Sequence, residues 1–397
     1  MTYLNLPETT LLEKGALHTA KEIAGQPSLW KETAEKFEIQ SAAILSFLKS
    51  AGSESNQVVL TGAGTSAYLG LSLQGLFSTR MNKISRAIPT TDILSHPQDY
   101  FQQQDIPLII SFARSGKSPE SCAALELADR FCKKCFHLII TCNENGALAN
   151  YQSENPTCVF VLPPNADDKS LAMTGSYTSM LLTGLLIAFG DDPAYCRQQL
   201  EQISYAAKKI LENGSDQIRK IADQNFERAV FLGSGALFGT ATEAGLKLQE
   251  LTDGQIICKA DSYLGFRHGP KAVIDESTLI VYFFSSNNYV SQYERDLLPA
   301  MKTGNPALFQ LGISELPVKD DTLQAQVILT DTDHPIAEEF LPLCSIIPGQ
   351  LLAFFKSLQL NLMPDAPSVS GSISRIVEGV NIYPVAGLGQ LLSAGGK

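Results

Sequence analysis

Residues 57–66 read QVVLTGAGTS, a short apolar run that ends in two glycines separated by one residue. The β-branched run predicts a buried strand, and the paired glycines predict a tight turn at its end. Apolar residues recur with helical spacing over residues 67–79, which predicts a helix directly after the turn. A strand, a glycine turn and a helix in this order are typical of an α/β unit with a parallel sheet.

The same pattern returns in the second half of the chain. Residues 229–239 read AVFLGSGALFG, and the numbers of Gly233 and Gly62 differ by 171 (233 − 62). Two further apolar runs, PLIISFARSG at 107–116 and TLIVYFFSSN at 278–287, begin with the same offset (278 − 107). Two strand-and-turn features that keep one spacing indicate that an α/β unit has been duplicated.

Strands and helices alternate inside each unit, and the strands are continuous apolar runs. This pattern predicts an α/β fold in which each unit is a flavodoxin-like parallel sheet with helices on both faces. Ligands bind such sheets at the carboxyl ends of the strands, near the topological switch point. Residues 350–362 are expected to form a late helix. The expected organisation is an N-terminal helical segment at 1–45, a first unit at 46–213, a second unit at 214–365 and a C-terminal tail at 366–397 that closes the site.

The composition favours two globular units and argues against a polyanionic partner. The chain has 397 residues, of which 44% are hydrophobic, and this length exceeds what one hydrophobic core usually serves. The formal net charge of −11 argues against binding to nucleic acid or to an anionic membrane surface, because either partner requires a dense face of Lys and Arg. A small anionic metabolite remains compatible with this charge, since a phosphate site needs only N–H groups, hydroxyls and one cation.

No segment predicts export or a membrane anchor. Residues 1–14 read MTYLNLPETTLLEK and lack the basic start, apolar core and cleavage site of a secretory signal. The longest apolar run, residues 180–189, is far shorter than the roughly 20 residues that a membrane span requires. We therefore expect a soluble cytoplasmic protein with no membrane partner.

The eight cysteines are expected to be reduced thiols, because the chain is long and carries no export signal. Cys132 and Cys135 form one CxxC motif with His137 nearby, but no second CxxC lies at zinc-ribbon spacing. These residues lie where a helix at 118–131 runs into a strand at 136–141, and small buried thiols are common at such places. We therefore expect no metal site.

The strongest candidate for ligand binding is the turn SGKS at residues 115–118. It follows an apolar strand, and Ser118 before a proline is typical of a helix N-cap. Free N–H groups, the positive end of the helix dipole and the serine hydroxyls would then meet at one point, which predicts an anion site at Ser115, Gly116 and Ser118. The alternative is that Ser118 only caps its helix and that Arg114 is a surface cation.

Two further hydroxyl-bearing turns lie at helix starts. Gly64, Thr65 and Ser66 close the first glycine turn, whose loose GxGxxA pattern also fits the dinucleotide fingerprint. The acidic residue that this fingerprint requires about 20 positions further on is missing. Thr174 and Ser176 begin an apolar helix, and together with the first cluster they are expected to form the opposite wall of a phosphate pocket. Taken alone, each turn could be a purely structural connection or N-cap.

Three charged residues recur on one face of the helix after the second glycine turn. Glu243, Lys247 and Glu250 lie at positions i, i+4 and i+7. A Glu-to-Lys pair at this spacing is usually a solvated salt bridge, but leucines give this helix a buried side. His268, one of five histidines, lies between glycines in a stretch without periodicity. Histidine is the side chain best suited to move protons near neutral pH, so these residues are candidates for catalysis.

These segments resemble the SIS-domain phosphosugar isomerases, of which glucosamine-6-phosphate synthase is the best-known member. The similarity is closer to the tagatose-6-phosphate ketose/aldose isomerase group, whose members are also described as galactosamine-6-phosphate deaminase/isomerases. The matched segments cover both halves and are, in order, GAGTS (62–66), ARSGKSPES (113–121), AMTGSYT (172–178), GLKLQEL (245–251) and FRHGPKAVI (266–274).

The resemblance implies two tandem SIS domains and a set of substrate-binding residues. Arg375 is included because the lysine-bearing C-terminal segment of the synthase is replaced here by SVSGSISR at 368–375. The residues expected to bind the phosphate or the sugar are Gly64, Thr65, Ser66, Arg114, Ser115, Gly116, Ser118, Thr174, Ser176 and Arg375.

The resemblance also implies the catalytic residues. Glu250 matches the general base of the family, Lys247 matches a nearby catalytic lysine, and His268 matches the histidine linked to ring opening. In the synthase this histidine comes from a neighbouring subunit, which implies a homo-oligomer with shared active sites.

The implied function is an enzyme that converts galactosamine 6-phosphate, or a related amino-sugar 6-phosphate, into a ketose 6-phosphate and ammonia without a metal or redox cofactor. One alternative is a plain ketose/aldose 6-phosphate isomerase, and another is a non-catalytic sugar-phosphate-binding regulator. Such regulators usually add a DNA-binding helix-turn-helix, and residues 1–45 are neither basic nor patterned as one. The sequence leaves the galacto or gluco configuration of the sugar open.

Overall fold

The structure is a computed structural model of the chain, and it describes residues 1–377 and 379–385. The strands are β1 Thr2–Tyr3, β2 Leu6–Pro7, β3 Gln57–Thr61, β4 Ile84–Ala87, β5 Pro107–Ala113, β6 Phe136–Thr141, β7 Thr157–Val161, β8 Arg228–Leu232, β9 Ile257–Asp261, β10 Thr278–Phe283, β11 Phe309–Ser314 and β12 Ala325–Ile328. The α-helices are α1 Glu8–Glu13, α2 Leu17–Glu54, α3 Thr65–Met81, α4 Thr90–Ser95, α5 Pro97–Tyr100, α6 Pro119–Phe131, α7 Gly175–Ala188, α8 Pro193–Lys209, α9 Ser215–Ala222, α10 Ala236–Leu251, α11 Tyr263–Phe266, α12 Asn288–Arg295, α13 Leu297–Met301 and α14 Leu341–Gln359.

The first sheet has five parallel strands in the order β4-β3-β5-β6-β7. The second strand of the unit lies on one side of β3 and the third lies on the other, which is the flavodoxin-like order. The topological switch point therefore falls between β3 and β5. The glycine turn follows β3 and the SGKS turn follows β5, so both reach this switch point.

The second sheet repeats this topology. Its five parallel strands have the order β9-β8-β10-β11-β12. The first residues of β8 and β3 differ in number by 171 (228 − 57), and those of β10 and β5 differ by the same amount (278 − 107). The predicted duplication and the predicted fold class, with two tandem parallel sheets, are confirmed.

Both faces of each sheet are buried, which explains the continuous apolar strands. In β3, Val58 and Leu60 face a core shared by the two halves, whereas Val59 faces a smaller core beneath α4 and α6. In β8, Phe231 lies in the shared core and Val230 faces outwards. The shared core lies between the two sheets and holds the central helices α2, α3, α7, α10 and α14.

The two halves meet where α3 crosses α10. A Cβ atom on Gly239 would lie 2.8 Å from the backbone nitrogen of Ser72 and 2.9 Å from the carbonyl oxygen of Tyr68, so this approach requires a glycine. The Ser72 hydroxyl also donates a hydrogen bond of 2.8 Å to the carbonyl of Ala236. The crossing therefore joins the two helices that follow the glycine turns.

One long helix connects both halves at the start of the chain. The helix α2 spans 38 residues without a break and packs against α7, α8 and α14, so the expected boundary at residue 45 lies inside it. Its N-cap residue, Ala16, has no side-chain acceptor for the first N–H groups of the helix. Asp365 supplies this cap, because its carboxylate accepts bonds of 3.1 Å and 2.7 Å from the N–H groups of His18 and Thr19.

The second expected boundary, at residues 213 and 214, falls in a π-helical turn at Ile210–Gly214 that joins α8 to α9.

The late helix α14 begins at Leu341, well before the predicted start at 350, although Pro348 lies inside it. In the described part of the chain, the stretch Glu338–Gln359 is long and apolar enough to cross a membrane, but its most apolar 18 residues are 94% buried within the protein. It is the core helix of the second half and packs along α10.

Candidate active site

The candidate site lies at the carboxyl ends of the strands, where the glycine turns lead into α3 and α10. Gly64 and Gly235 have φ angles of +55° and +54°, a left-handed conformation that lets the chain turn directly into each helix. Thr65 and Ser66 are the first two residues of α3, and both are buried. These predicted residues therefore lie beside the switch point of the first sheet.

Lys247 lies at the centre of the ionic contacts of the site. Its ammonium donates a hydrogen bond of 3.0 Å to the Thr65 hydroxyl and lies 2.5 Å from Oε2 of Glu250 and 3.4 Å from Oε1 of Glu243. The Thr65 hydroxyl donates in turn to Glu243 over 3.2 Å. The three ammonium hydrogens thus face three acceptors, and the cluster joins α3 of the first half to α10 of the second.

Burial distinguishes the two carboxylates of this cluster. The side chains of Glu243 and Lys247 are 0% and 1% exposed, whereas that of Glu250 is 23% exposed. Burial raises the pKa of Glu243 to about 8, against the attraction of Lys247. Burial alone would lower the pKa of Lys247, but Glu243 and Glu250 together outweigh it and raise that pKa. Glu250 is therefore the carboxylate that a ligand can reach, and it lies beside an ammonium that stays charged at neutral pH.

The serine turn, residues 114–118, follows β5 next to the first glycine turn. The Ser115 hydroxyl accepts a hydrogen bond of 3.3 Å from an N–H of the same turn, and the Ser118 hydroxyl shares one of 2.7 Å with Ser121. Asn143, in the loop after β6, donates a bond of 2.9 Å to the Ser115 carbonyl and holds the turn. Asn143 is not predicted from the sequence, because nothing in a single sequence pairs it with a turn 28 residues earlier.

Arg114 is buried, at 7% exposure, and is not the surface cation of the alternative interpretation. Its guanidinium donates to the carbonyls of Ser170 and Leu171 over 3.3 Å and 3.0 Å, and to the carbonyl of Arg375 over 2.6 Å. Burial lowers the pKa of Arg114 below its usual range. Arg114 therefore ties the loop before α7 and the C-terminal tail to the serine turn.

Arg375, expected at the substrate, contacts an acidic loop of the first half. Its Nε donates a bond of 2.8 Å to the Asp168 carbonyl, and its Nη2 lies 2.5 Å from a carboxylate oxygen of Asp167. In the structure, this side chain anchors the tail. The physical reason is that Asp167 offers a full charge and the adjacent carbonyl offers a second acceptor to the planar guanidinium.

The C-terminal tail crosses from one half of the fold to the other. Besides the Arg375 anchor, the N–H of Val369 donates a bond of 3.1 Å to Asp253, just after the end of α10. The tail therefore spans the opening between the end of the Lys247 helix and the first half. Residues 378 and 386–397 of the expected tail lie outside the described residues.

Asp168 occupies the N-terminus of α7, where the sequence predicted one wall of a phosphate pocket. Its carboxylate accepts bonds of 2.9 Å from the N–H groups of Thr174 and Ser176, and one of 2.5 Å from the Ser176 hydroxyl. Thr174 and Ser176 are fully buried. The structure therefore differs from the expectation, because an aspartate already supplies the anion that this buried helix start requires.

Glu22 of α2 holds the loop that carries Asp168. Its carboxylate accepts hydrogen bonds of 2.6 Å and 3.2 Å from the N–H groups of Lys169 and Ser170, and another from the Ser170 hydroxyl. Burial, followed by the charge of Asp168, raises the pKa of Glu22 to about 7. The loop that anchors Arg114 and Arg375 is thus itself fixed by a titratable group.

His268 lies in an exposed loop after α11 and has no side-chain hydrogen bond to another described residue. It is not joined to the Lys247 cluster by such a bond. Exposed apolar and aromatic side chains accompany it: Leu264 is 48% exposed, and Tyr289 and Tyr293 of the adjacent α12 are 67% and 41% exposed.

A second polar cluster lies around the start of β6, at the opposite end of the sheet. Ligand atoms of Asp129, Cys135 and His137 lie within 4.8 Å of one another, which is a spacing that a metal ion could bridge. Asp129 accepts hydrogen bonds of 2.7 Å from His137 and Tyr151, and others from the loop before β7. The carboxylate therefore acts as a hydrogen-bond centre that fixes this loop.

The comparison with known sequences agrees with the fold. The family model of the SIS domain matches residues 53–189, which cover most of the first half. The D-galactosamine-6-phosphate deaminase AgaS of Shewanella sp. (strain ANA-3) is 39% identical over 385 residues, which are 96% of this chain and 95% of the relative. The protein of the same name from Escherichia coli is 36% identical over 369 residues, or 92% of this chain and 95% of the relative.

Solved structures give the same result. A protein from Clostridium novyi NT, proposed to be a tagatose-6-phosphate ketose/aldose isomerase, superposes with a TM-score of 0.93 at 39% identity and covers 97% of this chain and 100% of its own. The Escherichia coli tagatose-6-phosphate ketose/aldose isomerase gives a TM-score of 0.83 at 34% identity, over 92% and 96% of the two chains. The fold and site thus define a protein of the double SIS class. The chain belongs to the SIS-domain family, in the group that contains the D-galactosamine-6-phosphate deaminases AgaS.

Proposed function

We propose that this chain is an enzyme that converts D-galactosamine 6-phosphate and water into tagatose 6-phosphate and ammonia. Relatives that match nearly its full length are named D-galactosamine-6-phosphate deaminases, and one matched structure is named a tagatose-6-phosphate ketose/aldose isomerase. The two names fit one reaction, because an aldose-to-ketose isomerisation of a 2-amino sugar produces an imine that water converts into the ketose.

The position of Glu250 carries this proposal. Aldose–ketose interconversion needs one base that takes a proton from one carbon and returns it to the neighbouring carbon. Glu250 is 23% exposed and is paired at 2.5 Å with the buried ammonium of Lys247, whereas Glu243 is fully enclosed. A reachable carboxylate held by a buried cation at the carboxyl ends of the strands suits that task.

The proposed mechanism begins with ring opening, in which His268 assists proton transfer between O5 and O1. Glu250 then takes the proton from C2, and an enolamine forms across C1 and C2. Return of the proton to C1 gives an imine at C2, and water adds to this carbon and displaces ammonia. Lys247 orients Glu250 throughout. Ring opening breaks the C1–O5 bond, hydrolysis of the imine breaks the C2–N bond, and the other steps are proton transfers. The chain of steps involves no net oxidation or reduction, so the reaction calls for no redox cofactor.

The phosphate is proposed to bind at the serine turn of the first half. Ser115, Gly116 and Ser118 lie at the start of α6, where N–H groups and the helix dipole favour an anion. Ser66, at the start of α3, is the proposed contact to the sugar. Thr174 and Ser176 support this pocket from behind, through Asp168, which holds the loop that Arg114 binds.

A homo-oligomer with shared active sites is the second part of the proposal. His268 is exposed and follows the exposed Leu264 by four positions, and the adjacent helix α12 exposes Tyr289. Exposed apolar and aromatic side chains of this kind are typical of protein contacts. A histidine that serves ring opening must reach a site, and contact between two copies through this surface would bring it to the partner's Glu250. We also place the reaction in the cytoplasm, in line with eight free cysteine thiols.

Product analysis of the purified full-length chain tests the function. Galactosamine 6-phosphate, glucosamine 6-phosphate and galactose 6-phosphate are supplied separately, and ammonia and ketose 6-phosphate are measured. The expected result is equal amounts of ammonia and tagatose 6-phosphate from the galacto substrate. Interconversion of galactose 6-phosphate and tagatose 6-phosphate without ammonia from either amino sugar would establish the plain isomerase instead. Binding of these sugars without any turnover would establish a sugar-phosphate-binding protein.

A further inference from the structure

The second half of the chain contains a counterpart of the serine turn. The offset that relates the two sheets pairs Ser115 with Ser286 (286 − 115 = 171) and Gly116 with Asn287 (287 − 116 = 171). Both turns follow the third strand of their sheet, β5 or β10, and both precede a helix, α6 or α12. A duplicated fold therefore presents two equivalent turns at two equivalent switch points.

The first of these turns is open to an anion. The side chains of Ser115 and Ser118 are partly exposed. Among the residues that the structure describes, their hydroxyls are bonded only within the turn and to Ser121 at the start of α6. Within residues 1–377 and 379–385, no carboxylate accepts a hydrogen bond from an N–H or hydroxyl group of the serine turn.

The second turn already holds an anion supplied by the chain itself. One carboxylate oxygen of Glu338 accepts bonds of 2.8 Å from the N–H of Ser286, 2.7 Å from its hydroxyl and 3.2 Å from the N–H of Asn287. The other oxygen accepts a bond of 2.6 Å from the Ser285 hydroxyl. The remaining N–H, that of Ser285, donates a bond of 2.8 Å to the buried carboxylate of Glu294.

These contacts use the backbone N–H groups of residues 285–287 and the hydroxyls of both serines, so in the described part of the chain none of these donors is left for a ligand. Four donors converge on Glu338, as they would on a phosphate, and a fifth is bonded to Glu294. An incoming phosphate would have to displace one carboxylate and would then lie beside the other, so it would lose hydrogen bonds and meet like charge. Glu338 also begins the short helical turn that leads into α14, so its displacement would disturb the helix that packs along α10.

We infer that Glu338 closes the second half of the chain to phosphate, so that each chain binds a single sugar phosphate, at the serine turn of the first half. The inference rests on the proposed function for the location of the occupied site. It adds that the duplication has kept one binding turn and has converted the other into an internal structural contact.

The binding stoichiometry of the full chain is the first test. The probe is galactitol 6-phosphate, a reduced open-chain analogue that cannot isomerise, and binding is followed by calorimetry. We expect one equivalent per chain, lost in Ser115→Ala/Ser118→Ala and unchanged in Ser286→Ala. Two equivalents per chain, or one that Ser286→Ala abolishes, overturns the inference. One equivalent that survives both sets of substitutions moves the phosphate away from the serine turn and contradicts the proposed function, but it leaves the second turn closed.

Anion rescue is the second test, made in the Ser115→Ala/Ser118→Ala background so that the first turn does not contribute. Glu338→Ala should lower the melting temperature, because it removes the acceptor of four hydrogen bonds from Ser285, Ser286 and Asn287. Inorganic phosphate should then raise the melting temperature of this variant by more than chloride does at equal ionic strength, and it should not do so for the parent. An equal response of variant and parent overturns the inference. If Glu338→Ala does not fold, the same comparison uses Glu338→Gln, which keeps one acceptor oxygen, and the stoichiometry decides independently.

Discussion

Glu243 and Glu250 share one face of α10, yet their surroundings assign them different tasks. Glu243 is fully buried and bonds to Thr65 and Lys247, while Glu250 is partly exposed and bonds to the outer side of the same ammonium. The inner carboxylate fixes the lysine between the two halves. The outer one is free to meet a carbon atom of a substrate.

Glu250→Gln should lower kcat by about 10² to 10⁴, the usual share of general acid–base catalysis. The amide keeps the shape of the side chain, so KM and the melting temperature should change little. Exchange of the C2 hydrogen with deuterated water, followed by NMR, should fall with kcat. Glu243→Gln is the matched variant on the same helix face. If it abolishes exchange while Glu250→Gln retains it, the base has been assigned to the wrong carboxylate.

Ser115→Ala/Ser118→Ala should raise KM for the sugar phosphate, because each hydroxyl bond to a charged phosphate contributes about 1.5–3 kcal/mol, or about 10- to 100-fold. The reaction of the unphosphorylated sugar, measured at high concentration, should be slow in both proteins and equally so. Ser53→Ala, an exposed serine on α2, controls for the loss of a hydroxyl. Unchanged KM in the double variant would contradict a phosphate at this turn.

The sequence predicts part of this site and misses the rest for a physical reason. Helical spacing predicts that Glu243, Lys247 and Glu250 share a face, because that relation is local. The contact from Lys247 to Thr65 joins residues 182 positions apart, and no local pattern contains it. Similarly, hydroxyl-rich helix starts predict anions at both serine-bearing turns, but only the folded chain shows that Asp168 already occupies one of them.

At the scale of elements, the crossing of α3 and α10 fixes the distance between the two halves. Gly239→Ala should destabilise the protein by about 1–3 kcal/mol and reduce kcat, because the new methyl group meets the backbone of Ser72 and separates Thr65 from Lys247. Gly75→Ala is the matched control on α3, where the added atom meets nothing within 4 Å. That control should gain about 0.5–1 kcal/mol. Equal effects of the two substitutions in chemical denaturation would argue against the close approach.

The loop held by α2 should make stability depend on pH. The pKa of Glu22 is about 7 in the fold and 4.5 in an unfolded chain, so the unfolded state loses this proton first as the pH rises. Wild-type stability from this group is therefore present below about pH 4.5 and is lost as the pH rises through about 7. Glu22→Gln removes the dependence, so its free energy of unfolding relative to wild type should rise by about 1–3 kcal/mol across this window. Urea denaturation at pH 5 to 8 measures it. Glu13→Gln controls for charge, and a flat difference for Glu22→Gln would contradict the assignment.

Most elements of the two sheets follow from the sequence, because each buried parallel strand is a continuous apolar run bounded by turn residues. The bounds of two helices, α14 and α2, do not follow from it. The helix α14 begins nine residues before its predicted start at 350 and continues through Pro348, although a proline ordinarily ends or kinks a helix. Packing on all sides of this buried helix outweighs the one hydrogen bond that Pro348 cannot donate. The helix α2 continues past the expected boundary because it covers both halves and because no glycine or proline lies between residues 28 and 51 to signal its end.

At the scale of the whole molecule, the proposed homo-oligomer places the exposed loop of His268 at the active site of a neighbouring copy. His268→Ala and Glu250→Gln should each be nearly inactive alone. Coexpressed in equal amounts, they should recover about a quarter of wild-type activity if each site combines Glu250 of one copy with His268 of another, since half of random dimers are mixed and half of their sites are intact. Activity assays on the co-purified proteins measure this recovery. No recovery, in a species that sedimentation shows to be mixed, would place His268 at the site of its own chain.

The cap that Asp365 places on α2 also ties the start of this helix to a late step of synthesis. His18 and Asp365 are 347 positions apart, so the first N–H groups of α2 cannot receive this cap until residue 365 has been synthesised. At about 5–20 residues per second, the delay between the two residues is about 20–70 s. A chain that stops before residue 365 would fold without this cap and would lose the roughly 0.5–2 kcal/mol that a helix N-cap contributes.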